Sequence, residues 1–315
     1  MLSTLLRAPI LQAARSHRLR DLVETSPVSR DVVARFVPGA HTEDAVRATT
    51  SLLDDGLTVT IDHLGEDTTD PAMAQGVRDA YLVLLERLSA SGLTEAGRAE
   101  VSIKLSALGQ ALGADGERIS TEHAHAICEA AAAAGTTVTV DMEDHTTTDA
   151  TLGTVRALRE DFPWVGAVLQ SYLRRTEGDC RDLAGEGSRV RLCKGAYSEP
   201  ESVAYADKAD VDKSYVRCTK VLMQGQGYPM LATHDPRLVD IGGALAVQAG
   251  REAGTYEFQM LYGIRPEEQK RLAELGETVR VYLPYGEEWY GYLMRRMAEK
   301  PANVAFFLRA LATRG

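Results

Sequence analysis

The sequence predicts an α/β protein, a (β/α)8 TIM-type barrel preceded by an N-terminal helical arm. Three observations carry that reading. Eight short runs rich in β-branched residues recur along the chain, amphipathic segments of helical period alternate with them, and the 315 residues are enough for one large barrel. The strands are expected over 57–64, 100–105, 136–142, 165–171, 189–194, 230–234, 257–261 and 278–283. Between and after them, helices are expected over 71–91, 121–134, 147–161, 212–224, 236–249, 266–275 and 287–300. Their start signals are Asp70-Pro71, Ser120-Thr121-Glu122, Asp235-Pro236 and Arg265-Pro266, which set a capping group or a first-turn proline where orphan amides need it. Residues 1–51 read differently, as short helices broken at Pro9, Pro27 and Pro38-Gly39, where proline removes the amide donor. The expected division is therefore an arm over 1–51 and a barrel over 52–315.

Composition removes several classes of function. Hydrophobic residues are 44% and charged residues 25%, ordinary values for a folded globular chain. A net charge of −10 argues against wrapping a phosphate backbone, so no nucleic-acid partner is expected. Cys128, Cys180, Cys193 and Cys218 form no C-x-x-C pair, and a reducing compartment is the simpler reading. No apolar run approaches the roughly 18–20 residues of a membrane span. The first twenty residues carry four arginines and no acid, which suits a packing helix or, at most, peripheral membrane contact. The expected location is cytoplasmic, with contact at the inner membrane as the alternative. No G-x-G-x-x-G or P-loop string occurs, so neither a Rossmann nor a P-loop site is supported.

In a barrel the chemistry sits where strands end, and the residues there are unusually polar: Asp62, His63, Lys104, Asp141, Glu143, Gln170, Arg191, Lys194, Thr233, His234, Gln259 and Tyr282. Arg191 and Lys194, with Thr233, His234 and the helix after Asp235, are suited to hold a diphosphate. The last helix brings Tyr292, Arg295, Arg296 and Glu299 onto one face at i, i+3, i+4 and i+7. Two adjacent guanidiniums suit a carboxylate ligand, and the nearby tyrosines and Trp289 can cover an apolar ring.

The strings VSIKLS (101–106), DME (141–143), LQSYL (169–173), RLCKGAY (191–197), ATHD (232–235), EFQMLYG (257–263) and YLMRRM (292–297) resemble the proline dehydrogenase family, in family order. The resemblance implies a distorted barrel holding non-covalent FAD. It implies oxidation of L-proline to Δ1-pyrroline-5-carboxylate by hydride transfer to flavin N5, the first step of proline catabolism, with electrons passed to a quinone. Hand-over of the product to a pyrroline-5-carboxylate dehydrogenase is implied as well. By matching position, Arg295, Arg296 and Lys104 bind the proline carboxylate, Asp141 lies near the amine, Tyr282 and Tyr292 wall the ring, and Leu192 and Tyr197 lie close by. Arg191 sits near flavin N5. Met142, Gln170, Lys194, Gly195, Ala196, Thr233 and His234 contact FAD, and Glu66 forms a gating ion pair with Arg295. No metal is implied. Two positions depart from the family pattern: Cys193 stands where valine is usual, and Ser198 where some members carry tryptophan.

Other readings of the same residues exist. Asp141, Glu143 and His145 offer metal-ligand chemistry, and Lys104 or Lys194 could form an imine, as in an aldolase-like barrel. A non-enzymatic barrel that binds a small ligand is the reading of a different class.

Overall fold

The computed structural model describes residues 33–65 and 68–299, and of residues 295–299 only the backbone. Its eight strands are β1 (Thr58–His63), β2 (Ala99–Ile103), β3 (Val138–Val140), β4 (Gly166–Gln170), β5 (Arg189–Cys193), β6 (Tyr228–Ala232), β7 (Glu257–Leu261) and β8 (Val279–Tyr285). Each pairs in parallel with the next, and β8 closes on β1 in the register Thr58 to Arg280 through His63 to Tyr285. The helices are α1 (Thr42–Asp54), α2 (Pro71–Ala90), α3 (Gly116–Ala133), α4 (Thr148–Asp161), α5 (Thr176–Asp182), α6 (Lys208–Gln224), α7 (Pro236–Gln248), α8 (Pro266–Glu274) and α9 (Trp289–Glu299).

Strand alternation sorts the side chains into two layers. Val59, Ile61, Val101, Ile103, Val138 and Val140 pack with Leu84, Leu88 and Ile127 of α2 and α3. Leu231, Phe258, Met260 and Val281 pack with Val239, Ala246 and Leu272 of α7 and α8. The apolar core is therefore the ring between strands and helices. The intervening strand positions face the barrel interior and are polar or charged: Thr60 and Asp62, Glu100 and Ser102, Arg189 and Arg191, Glu257 and Gln259, Arg280 and Tyr282.

Several start signals act as the sequence indicates. Asp70 accepts from Ala72 N at 2.6 Å, and Asp235 from Arg237 N at 3.1 Å, each ahead of a first-turn proline. Others do not. The helix expected from Thr121 begins at Gly116, so Ser120 and Thr121 lie inside it and return their hydroxyls to Glu117 O. Arg265 caps nothing with its side chain and takes a left-handed backbone, φ 55°, before Pro266. Helix α5 was not anticipated, because its seven residues carry no apolar period and bury only Thr176, Asp179 and Cys180. Helix α1 runs across the expected boundary at residue 51, and its Ala45 and Leu53 join the core around β1 and β2. Most of the proposed arm, residues 1–32, lies outside the described residues.

The interior is held by ion pairs. Among the described residues, Lys104, Arg189, Arg191 and Arg280 face Asp62, Glu100, Asp141 and Glu257, four cations against four carboxylates. Buried charge is tolerated only when paired and hydrogen-bonded in this way. Glu100 sits at the centre of the lower layer, 2.6 Å from Arg189 and 3.8–3.9 Å from Arg280 and Arg191, with Thr137 donating at 2.6 Å. Burial works against its ionisation, yet Arg189, Arg280 and Arg191 hold its carboxyl at about 2, against an ordinary 4.5. A carboxyl depressed in the fold contributes stability that is complete above its unfolded value and is lost as pH falls through the folded one. Glu100→Gln is thus expected to flatten the fall in melting temperature between pH 4.5 and about 2. At neutral pH it should cost roughly 3–5 kcal/mol, because buried guanidiniums lose their counter-charge. Thermal unfolding across that pH range measures both.

Candidate active site

Above the Glu100 layer, the C-terminal ends of the strands converge on Arg191, which is 3% exposed. Each nitrogen of its guanidinium is held from a different part of the barrel. Nη1 donates to Asp141 Oδ1 at 2.7 Å and to Ser102 Oγ at 2.9 Å, Nη2 to Thr60 Oγ1 at 3.3 Å, and Nε to Gln259 Oε1 at 2.6 Å. The Tyr282 ring covers the group, its centroid 5.3 Å from Cζ.

Asp141 lies just past β3, where its backbone N still pairs with Ile103 O at 2.8 Å. Its second oxygen accepts from the Tyr282 hydroxyl at 2.7 Å and has Lys104 Nζ at 3.7 Å. Burial first, then the nearby carboxylates Asp141 and Asp62, push the Tyr282 phenol well above its ordinary range, so it stays a neutral donor. Lys104 Nζ donates to Asp62 Oδ2 at 2.6 Å and to the Tyr282 oxygen at 3.3 Å. Tyr81 of α2 ties this layer to the helices, donating to Ser102 O at 2.6 Å and accepting from His63 N at 3.0 Å. Lys104, Asp141, Arg191 and Tyr282 are thus brought into one buried cluster from four strand ends.

The rim from β4 to β6 carries a second group. Gln170 donates to Glu143 O at 2.6 Å, Thr233 Oγ1 accepts from Asp235 N at 3.1 Å, and Met142 is buried against Leu152 and Val168. Leu261 N donates to His234 Nε2 at 2.9 Å, so that nitrogen acts as an acceptor. Lys194 Nζ stands 2.5 Å from Asp212 and 3.4 Å from Asp235, and Arg237 bridges the same two acids. The Arg237 hydrogen bonds hold the Asp235 carboxyl well below the usual range. After β5 the chain turns at Gly195 with φ 106°, directly over the Tyr172 ring. That ring is fixed by its hydroxyl on Glu199 at 3.1 Å, and Glu199 is bound in turn by His145. Ala196 and Tyr197 follow on the exposed part of the loop.

One expected site residue faces away from the cluster, and others lie at the rim or outside the described part. Leu192, anticipated near the substrate, is turned outward by the alternation that sends Arg191 inward, and packs with Leu169, Leu222 and Leu238 in the helix-facing layer. Tyr292 is buried with Phe36, Val37, Leu64, Leu293 and Met294, where α9 meets the rim next to β1. Arg295 and Arg296 lie on the α9 backbone, but their side chains are outside the described part, as is the whole of Glu66. Sequence reasoning missed Thr60 and Ser102 as partners of Arg191, and gave Gln259 no role. The one available signal was the polar residue at every second strand position.

The alternative chemistries fit the cluster less well. Asp141 is bound to Arg191, Glu143 to Ser106 and His145 to Glu199, so the three do not converge on a common point as metal ligands. Lys104 and Lys194 are each engaged by carboxylates, Lys104 by Asp62 and Lys194 by Asp212, rather than presented towards a carbonyl carbon as an imine would require.

A closed parallel barrel whose C-terminal mouth holds a buried Asp, Arg, Lys and Tyr together is the architecture of a TIM-barrel enzyme acting on a small polar molecule. Comparison with known proteins narrows the class: the family model described as Proline dehydrogenase matches residues 45–309, and the chain belongs to that family of oxidoreductases. It is 40% identical over 313 residues to proline dehydrogenase of Deinococcus radiodurans, a match covering 99% of each chain. It is 37% identical over 277 residues to proline dehydrogenase 1 of Bacillus subtilis, covering 88% of this chain and 89% of the relative. Among solved structures it resembles proline utilization A from Bdellovibrio bacteriovorus inactivated by N-propargylglycine, with a TM-score of 0.77 and 25% identity. That match covers 85% of this chain and spans 32% of the other protein's length.

The Gly195 turn provides a direct test of the rim. A Cβ there would lie 2.3 Å from a Tyr172 ring carbon, in a left-handed backbone that side chains rarely adopt. Gly195→Ala is expected to destabilise the protein by about 1–3 kcal/mol. Urea unfolding measures this; a midpoint equal to that of the wild type would contradict the packing of Gly195 on Tyr172.

Proposed function

We propose that this chain oxidises L-proline to Δ1-pyrroline-5-carboxylate with non-covalently held FAD, and that the electrons pass on to a quinone. The observation that carries the reading is the buried cluster of Asp141, Arg191, Lys104 and Tyr282 at the barrel mouth, in a member of the proline dehydrogenase family. The residues of the neighbouring rim suit FAD by the chemistry of their donors. The Gln170 carboxamide, Lys194 cation, Thr233 hydroxyl and His234 imidazole stand on the adjacent strands β4, β5 and β6 or directly after them, and offer donors for polar ring edges and a cation for a diphosphate. Met142, Gly195 and Ala196 complete the set assigned to the cofactor.

When bound, FAD supplies the two-electron acceptor for the hydride that leaves proline C5. The rest is the work of the chain. Arg295 and Arg296 on α9 bind the proline carboxylate, with Lys104 completing the clamp. Planar guanidinium forks fix a carboxylate in direction as well as position, which sets the register of the ring. Tyr282 and Tyr292 wall that ring, with Tyr197 on the loop above. Hydride loss next to nitrogen requires the amine lone pair, so the bound amine must shed its extra proton. Asp141 presents negative charge to that amine while keeping Arg191 and Tyr282 in place. A Glu66 to Arg295 ion pair closes the site in this reading. Delivery of electrons to a quinone, hand-over of the product to a pyrroline-5-carboxylate dehydrogenase, and a cytoplasmic location with peripheral membrane contact rest on family membership. Among the described residues no helix is long and apolar enough to cross a membrane.

A visible spectrum before and after anaerobic addition of L-proline tests the proposal. A flavin band that bleaches with proline is expected; a folded, FAD-supplied sample without any flavin band would overturn the reading. Arg296→Ala is expected to weaken proline binding by about 2–5 kcal/mol, the range for truncating one partner of a desolvated charge pair. Equilibrium titration of the oxidised holoenzyme against a non-oxidisable cyclic amino acid gives that figure directly, and unchanged affinity would remove Arg296 from the clamp.

A further inference from the structure

Gln259 on β7 has been given no part in the reaction, yet both ends of its side chain are committed inside the barrel. Its Oε1 accepts from Arg191 Nε at 2.6 Å, and its Nε2 donates to Glu257 Oε1 at 2.5 Å. Glu257 is gripped through both oxygens by Arg280 Nε, at 2.9 and 3.1 Å. Gln259 is 2% exposed. This place has strict chemical demands: one end must accept from a guanidinium while the other donates to a carboxylate. Among side chains of this length, the amide of glutamine meets both; a carboxylate only accepts and an ammonium only donates.

The consequence falls on Arg191. Asp141 and Ser102 hold its Nη1 and Thr60 its Nη2, at 2.7, 2.9 and 3.3 Å. Among the described residues, Gln259 alone holds Nε, the atom about which the guanidinium plane turns. We propose that Gln259 is a positioning residue for Arg191, coupling the orientation of that guanidinium to the Glu257–Arg280 pair at the barrel floor. The inference rests on the flavin reading above, in which Arg191 is the cation beside the redox centre. It adds that the direction of this cation is set from below, by an uncharged residue whose two polar ends are spent on Arg191 and Glu257. A misdirected guanidinium should alter the electrostatics and the rate of the chemical step while leaving the carboxylate clamp intact.

A double-mutant cycle in the FAD-loaded protein tests this. Wild type, Gln259→Met, Arg191→Met and the double variant are compared by FAD affinity from flavin fluorescence, by the midpoint potential of the bound flavin, and by anaerobic stopped-flow reduction with L-proline. For Gln259→Met the expected result is a limiting reduction rate lowered by about tenfold or more, proline affinity within about twofold of wild type, and a shifted flavin potential. In the Arg191→Met background the same substitution should change the rate by less than about twofold, because its effect passes through Arg191. Rate losses that multiply in the double variant overturn the proposal, as does an unchanged rate and potential in folded, loaded Gln259→Met. If Gln259→Met does not fold, Gln259→Glu takes its place, keeping an oxygen towards Arg191 but setting a second carboxylate against Glu257. Its rate loss is likewise expected to vanish in the Arg191→Met background, and persistence there overturns the proposal. A wild-type protein that takes up no FAD overturns the flavin reading and this inference together, whereas normal uptake with multiplying losses overturns this inference alone.

Discussion

The ion pair between Arg191 and Asp141, 2.7 Å long and almost wholly buried, is the interaction on which the rest of the site depends. Neither charge could be kept at that depth alone, since stripping an isolated ion of water costs several kcal/mol. Each is therefore surrounded by donors and acceptors from other strands. Ser102 bridges the two, Tyr282 closes the far oxygen of Asp141, and Thr60 and Gln259 occupy the other guanidinium nitrogens. Because these partners come from β1, β2, β7 and β8, closure of the barrel completes the shell around the pair.

This arrangement inverts the usual division of a barrel. The apolar core lies outside the strands, in the ring shared with the helices, while the lumen is packed with paired charge. Such a lumen gains little net stability from its ion pairs, because desolvation offsets most of the attraction. What it provides is direction. Side chains with several fixed hydrogen bonds have few alternative rotamers, and a reaction that needs a hydride donor and acceptor in register benefits from walls that do not reorganise. The lower layer around Glu100 and the upper layer around Asp141 are linked through Arg191, which lies 3.9 Å from the first carboxylate and in hydrogen-bond contact with the second.

Much of this was legible in the amino-acid sequence. All eight strands were readable because β-branched residues alternate with polar ones and stop at turn residues, and Lys104, Asp141, Arg191 and Tyr282 were readable because charged and polar side chains at a strand's C-terminal end are conspicuous. The differences have physical reasons. Leu192 adjoins Arg191 in the chain, but neighbours on a strand point to opposite faces, so it packs with Leu169, Leu222 and Leu238. Ser102 and Thr60 escaped, and Gln259 was noted without a role, because uncharged polar residues on strands look like ordinary sheet formers until the closed barrel brings them to one guanidinium. The start of α3 was misplaced because Ser120 and Thr121 resemble a cap, whereas their hydroxyls serve the preceding turn of an existing helix.

The central claim is that the buried charge of Asp141 organises the groups around the reacting ring. Substituting Asp141 by Asn keeps the shape and removes the charge, and the limiting rate of anaerobic flavin reduction by L-proline, measured with FAD content and melting temperature, isolates that charge. The account requires a rate at least about tenfold lower in a protein that still folds and still holds FAD. A folded, FAD-loaded Asp141→Asn protein reduced as fast as the wild type would contradict it.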